Sequence, residues 1–190
     1  MLDARGYLRE RGRQLGELAE GAWLAAAPGA LELLAGALEG GGKVLAFGNG
    51  GSAAQAQHFA AELVGRFERE RRALPALSLS TDGSALTALG NDYAFEEIFA
   101  RQVQALARPG DALLALSTSG RSENVRRACL AGRKQGARTV GLLGGEGGTI
   151  RDAVEVALIV PARDTALIQE VHGLLLHALC RALEGRLGGN

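Results

Sequence analysis

The spacing of apolar and polar positions changes character at Gly40-Gly41-Gly42. Before the glycines, residues 2–39 carry Leu and Ala at helical spacing among Glu and Arg. Pro28 divides this stretch into two helices and stands at the first helical position of the second. From Lys43 the chain becomes short apolar runs, each followed by a loop and a helical segment. The runs are KVLAFG (43–48), ALSLS (76–80), DALLALS (111–117), TVGLL (139–143) and VEVALIV (154–160). Apolar at successive positions rather than alternate ones, they predict strands buried on both faces, as in a parallel sheet. Helices are expected at Ser52–Arg66, Glu96–Ala107, Ser122–Gln135 and Thr165–Leu183. Such alternation predicts a doubly wound α/β fold with helices on both faces of the sheet. The division expected is a single domain over 1–190, with a sandwich at 43–186. The helical pair at 1–40 precedes any strand and is a candidate oligomer interface.

Composition narrows the classes. The 190 residues carry a formal net charge of zero, with no basic stripe to engage nucleic acid. No apolar run reaches membrane-spanning length, and MLDARGYLRERGRQ lacks the apolar centre of a secretory signal, so a cytoplasmic protein is expected. Cys129 and Cys180 fall inside helical patterns and read as buried free thiols. Lys43 and Lys134 are the only lysines, at a strand start and a helix end. Both places lie at the sheet edge opposite the ligand-binding one, which argues against Schiff-base or P-loop chemistry.

Candidate chemistry sits in the loops that follow strands. The first strand runs into Gly48-Asn49-Gly50-Gly51-Ser52, a glycine turn in which Ser52 is placed to cap the next helix. It does not match a dinucleotide fingerprint. The third strand ends in Ser117-Thr118-Ser119-Gly120-Arg121-Ser122, directly before a helix. Four hydroxyls with backbone N–H groups and a helix N-terminus make a neutral phosphate cradle, more than one capping serine requires. Gly90-Asn91-Asp92-Tyr93 is read as a loop after the second strand, able to bring Asn91 and Asp92 to the same rim or simply to turn. Gly144-Gly145-Glu146-Gly147-Gly148 lies at that edge with no assignable role.

All three histidines lie in HFAAEL (58–63) and QEVHGLLLH (169–177). His58 and Glu62 are four apart and share a helix face; Gln169, Gly173 and His177 form a second such stripe. Facing one another they would make a metal or acid/base site; the spacing alone suits surface or satisfied core residues equally. His172 lies about 60° round its helix from Gln169, on the side away from His177, and is excluded.

Taken together, GNGGS, HFAAEL, GND, STSG-x-S and QE-x-H-x4-H resemble the sugar isomerase (SIS) family, over nearly the whole chain and in motif order. His58 and Glu62 with Gln169 and His177 mark its isomerase branch, which converts sedoheptulose 7-phosphate to D-glycero-D-manno-heptose 7-phosphate on the way to nucleotide-activated heptose. The resemblance implies a five-stranded parallel, flavodoxin-like α/β/α sandwich in a homotetramer with sites at subunit interfaces. It implies one zinc ion per subunit on His58, Glu62, Gln169 and His177. The sugar phosphate would be held by Ser117, Thr118, Ser119 and Ser122, and the sugar by Asn49, Gly50, Gly51, Ser52, Glu62, Asn91, Asp92 and Gln169. Glu62 and His177 would be the catalytic pair, and Arg66 a substrate or interface contact. Arg121 stands where relatives often have Asn, and Ala166 where some have an acid, with Asp164 nearby. A non-catalytic SIS relative that binds the bacterial replication initiator lacks the equivalents of Glu62 and His177, and this chain has both. A sugar-phosphate sensor fused to a DNA-binding domain would need a segment that this chain does not spare.

Overall fold

The computed structural model describes residues 3–188. A first helix, α1 (Ala4–Ala19), leads through a 3₁₀ turn at Ala22–Ala26 into α2 (Ala27–Glu39). The break therefore falls at Glu20-Gly21 rather than at Pro28, which sits in the first turn of α2, where its missing N–H costs nothing. The alternating part follows: β1 (Val44–Gly48), α3 (Gly51–Val64), β2 (Ala76–Ser78), α4 (Gly83–Asp92), α5 (Ala100–Leu106), β3 (Ala112–Ser117), α6 (Glu123–Lys134), β4 (Arg138–Gly144), β5 (Val156–Val160) and α7 (Thr165–Leu187).

The five strands are all parallel, in the order β2-β1-β3-β4-β5. From β1 the chain winds one way to β2 and then the other way to β3, so the β1/β3 boundary is the switch point of the sheet, where strand-end loops diverge and open a crevice. One face is covered by α2, α3 and α7, with Leu34, Leu38, Phe59, Leu63, Leu176 and Leu183 packed on it. The other is covered by α5 and α6, with Phe99, Val103, Val125 and Cys129. Phe47 on β1 meets Phe99 at 5.4 Å between ring centroids. Both cysteines are buried free thiols.

Two expectations need correction. The first concerns β2, which is an edge strand with Leu77 exposed, not a buried one. The second is α4, a helix that the sequence reading missed. Asp82 caps it, accepting from the Ala85 N–H, and Gly90-Asn91-Asp92 is its last turn rather than a loop. The expected helix at Glu96–Ala107 is correspondingly split into a 3₁₀ turn at Phe95–Glu97 and α5.

Candidate active site

The β1–α3 turn is built on Gly50, whose φ of 55° is in the region that favours glycine. Gly50, not Ser52, occupies the capping position. Ser52 lies inside α3, buried, and makes no cap. Asn49 is fixed rather than free. Its amide exchanges two hydrogen bonds, of 2.9 and 2.8 Å, with that of Asn124 on α6. Asn124 Oδ1 also accepts from the Val125 N–H, and the residue is 2% exposed. The motif reading did not single out Asn124, yet it ties the glycine turn to the serine loop across the switch point.

The serine loop closes on itself through its hydroxyls. Ser117 Oγ accepts from the Gly120 N–H at 3.1 Å and stands 3.2 Å from Ser122 Oγ, while Ser119 Oγ accepts from the Arg121 N–H. Ser122 takes the capping position of α6 without bonding as a cap, which leaves its hydroxyl to the loop. The glycine loop after β4 is the second wall. Gly120 and Gly148 have positive φ, and a Cβ on either would run into the backbone of the other loop. The Ile150 N–H donates to Gly120 O at 3.0 Å. Between the loops and the β5–α7 connector opens a cavity of about 540 Å³, lined by Thr118, Ser119, Arg121, Glu146 and Arg163 among others. Glu146, without a role in the sequence reading, thus belongs to the phosphate-cradle region.

The histidine motifs meet in the groove between α3 and α7, which run side by side in the same direction. His58 Nε2 stands 2.9 Å from His177 Nε2 and 3.5 Å from Glu62 Oε1. Both imidazoles are exposed and Glu62 is half-buried. Phe67 backs His177, with ring centroids 5.1 Å apart. Gln169 is not with them in this chain. It lies against the first turn of α3, where a Cβ added at Gly51 would stand 2.6 Å from its Nε2. Eight residues separate Gln169 from His177, about 12 Å along the helix axis. Two imidazoles and a carboxylate are donors that zinc takes, and donor atoms round a tetrahedral zinc stand roughly 3.3 Å apart. His58, Glu62 and His177 therefore fit the ion in kind. Among the described residues, no three His, Cys, Asp or Glu side chains are gathered closely enough to form a metal site.

The remaining candidates lie apart. Asn91 donates to Asp92 Oδ1 at 2.9 Å on the exposed end of α4. Arg66 is exposed and, among the described residues, reaches only towards Glu70, at 3.8 Å. Asp164 is not a spare acid, since it caps α7 through the Ala166 N–H and pairs with Arg11. His172 is fully buried beside Leu143 O, and burial pushes its pKa down to about 4, so it is neutral and outside the site. Lys43 is tied to Asp111 at 2.6 Å on the opposite sheet edge.

The sequence matches the family model described as the SIS domain over residues 12–144. It is 58% identical to the phosphoheptose isomerase of Geotalea daltonii over 159 residues, which cover 84% of this chain and 83% of that protein. The structure of phosphoheptose isomerase GmhA from Neisseria gonorrhoeae superposes with a TM-score of 0.88 at 43% identity, covering 95% of this chain and 96% of that one. A phosphoheptose isomerase from Francisella tularensis gives 0.89 at 38%, with the same coverage. The chain belongs to the SIS domain family and, within it, to the phosphoheptose isomerases, and it is an isomerase enzyme.

Proposed function

We propose that this isomerase converts sedoheptulose 7-phosphate to D-glycero-D-manno-heptose 7-phosphate, the entry step to nucleotide-activated heptose. The observation that carries the proposal is the meeting of His58, Glu62 and His177 in one groove, set apart from a hydroxyl cradle for phosphate. His58 lies seven residues, about 10 Å, along α3 from Gly51.

Aldose–ketose isomerisation moves a proton between adjacent carbons through an enediolate. Glu62 is the base that takes the carbon-bound proton. His177 exchanges protons with the two oxygens, its ring held by Phe67 and faced by His58. The cradle orients the substrate and takes no part in the bond changes. His58, Glu62 and His177 would hold zinc, while Gln169, the fourth donor named by the family resemblance, stands apart from them in this chain; bound there, the ion would polarise the substrate carbonyl. The working unit is a homotetramer in which the chain self-associates through its N-terminal helices.

The test is a coupled assay with sedoheptulose 7-phosphate, on wild type and Glu62→Gln. Turnover by the wild type and its loss in the variant, with fold and assembly unchanged, supports the proposal. Near-normal activity of Glu62→Gln removes Glu62 as the base. A folded, zinc-supplemented wild type that leaves this sugar untouched removes the substrate.

A further inference from the structure

The cavity beside the serine loop carries charge that the hydroxyl cradle does not need and the motifs do not include. Arg121 enters from the serine loop, its side chain lying over Gly148 of the facing glycine loop. Arg163 enters from the opposite wall, on the short connector between β5 and α7. Among the described residues, neither guanidinium has a carboxylate within 4.0 Å, so both are available to an anion in the cavity. The one acid in the cavity lining, Glu146, leaves an excess of one positive charge.

The backbone holds both arginines in place. Ile150 and the mutual approach of Gly120 and Gly148 lock the loop that bears Arg121. Arg163 is followed directly by Asp164, which is fixed by its cap to α7 and its 2.5 Å pair with Arg11. The N-termini of α6 and α7 open at the same sheet edge and add partial positive charge.

We propose that Arg121 and Arg163 form a cationic rim that captures the dianionic phosphate of the substrate, supplementing the neutral hydroxyl floor. This deepens the phosphosugar reading and rests on it. An arginine fork supplies charge-assisted, paired donors that hydroxyls cannot, and it draws a dianion from solution in a salt-dependent way. Substrates bearing phosphate should therefore be favoured over the bare sugar through binding, not through the chemical step.

The experiment compares wild type, Arg121→Gln, Arg163→Gln and the double variant. It measures steady-state kinetics with sedoheptulose 7-phosphate between low and high salt, and titrates inorganic phosphate calorimetrically. In the double variant kcat/KM should fall about tenfold or more, carried mostly by KM, with a flatter salt dependence and weaker phosphate binding. Normal turnover with KM and phosphate affinity unmoved would overturn the rim and leave the substrate assignment standing. A wild type that does not turn this sugar over, yet binds phosphate more tightly than the double variant, would sustain the rim and overturn the substrate.

Discussion

Asn124 shows how much can hang on one side chain that no motif includes. Its amide is buried and satisfied only by Asn49 and the Val125 N–H, so truncating it strands the Asn49 amide. Asn124→Ala should cost about 1–3 kcal/mol, read as a lowered urea midpoint at unchanged slope. It should also lower turnover, because the glycine turn loses its tie to the serine loop; a variant with wild-type midpoint and rate would show that the reciprocal pair holds nothing. The glycines were legible in the sequence as turn formers, and the four hydroxyls as a cradle. What Asn49 touches was not legible, since a reciprocal amide pair leaves no spacing signal between residues 75 positions apart. Ser52 misled for a related reason. A serine after Gly-Gly reads as a cap, but the positive φ of Gly50 starts the helix earlier and carries Ser52 inside it.

At the level of elements, the groove that bears His58 and His177 depends on how the chain leaves α3. Glu184, buried on α7, accepts from the N–H groups of Phe67, Glu68 and Arg69 at 2.7, 2.9 and 3.1 Å. Arg71, buried against it at 3.4 Å, donates to the carbonyls of Glu62, Leu63, Gly65 and Arg72. The knot satisfies the free carbonyls at the end of α3 and seats Phe67 on His177. Burial alone would raise the Glu184 pKa; the three N–H groups and the Arg71 charge outweigh it and hold the carboxyl below its ordinary value. A carboxyl depressed by folding stabilises fully above its unfolded pKa, and that stability is lost as pH falls through the folded value. Glu184→Gln should therefore cost about 3–5 kcal/mol near neutrality, because Arg71 stays buried without a counter-charge. The difference from wild type should shrink as pH is lowered through the acid range. Urea unfolding of both proteins from neutral to acid pH checks this, and a gap constant with pH would refute the assignment. The strand–helix alternation and the two histidine helices were legible from apolar spacing. The clamp was not, because Glu184 and Arg71 are charged and read as surface residues until the fold buries them together. Helix α4 escaped for a different reason: it is only ten residues long, it begins at Gly83 and ends in Gly90-Asn91-Asp92, which read as turn formers, and Leu86 and Leu89 are only partly buried against the core.

Across the whole molecule, α1 is the element that the single chain does not explain. It contributes no buried residue. It rests on α7 through Arg11 and Tyr7, which bond to Asp164 and Glu170. On α1, Leu8 is 68% exposed and Tyr7 51%, and on the adjoining α7 Leu174 is 54% exposed. A largely apolar cavity of about 440 Å³ lies among these side chains and reaches His177. No single helix among the described residues is long and apolar enough to cross a membrane. Apolar surface of this kind, shared by α1 and α7 and joined to the groove of His58 and His177, is what a second copy of the chain would cover. In the proposed homotetramer, self-association and catalysis would be coupled, since the same patch borders His177. Leu8→Glu with Leu174→Glu should convert the proposed homotetramer to a smaller species in light scattering after size exclusion, while circular dichroism stays native. Activity should fall with assembly and recover at high protein concentration, because the sandwich itself is untouched. A double variant that keeps the wild-type mass would place the contact on another face of the chain. One that dissociates yet retains full turnover would mean that each chain completes its own site.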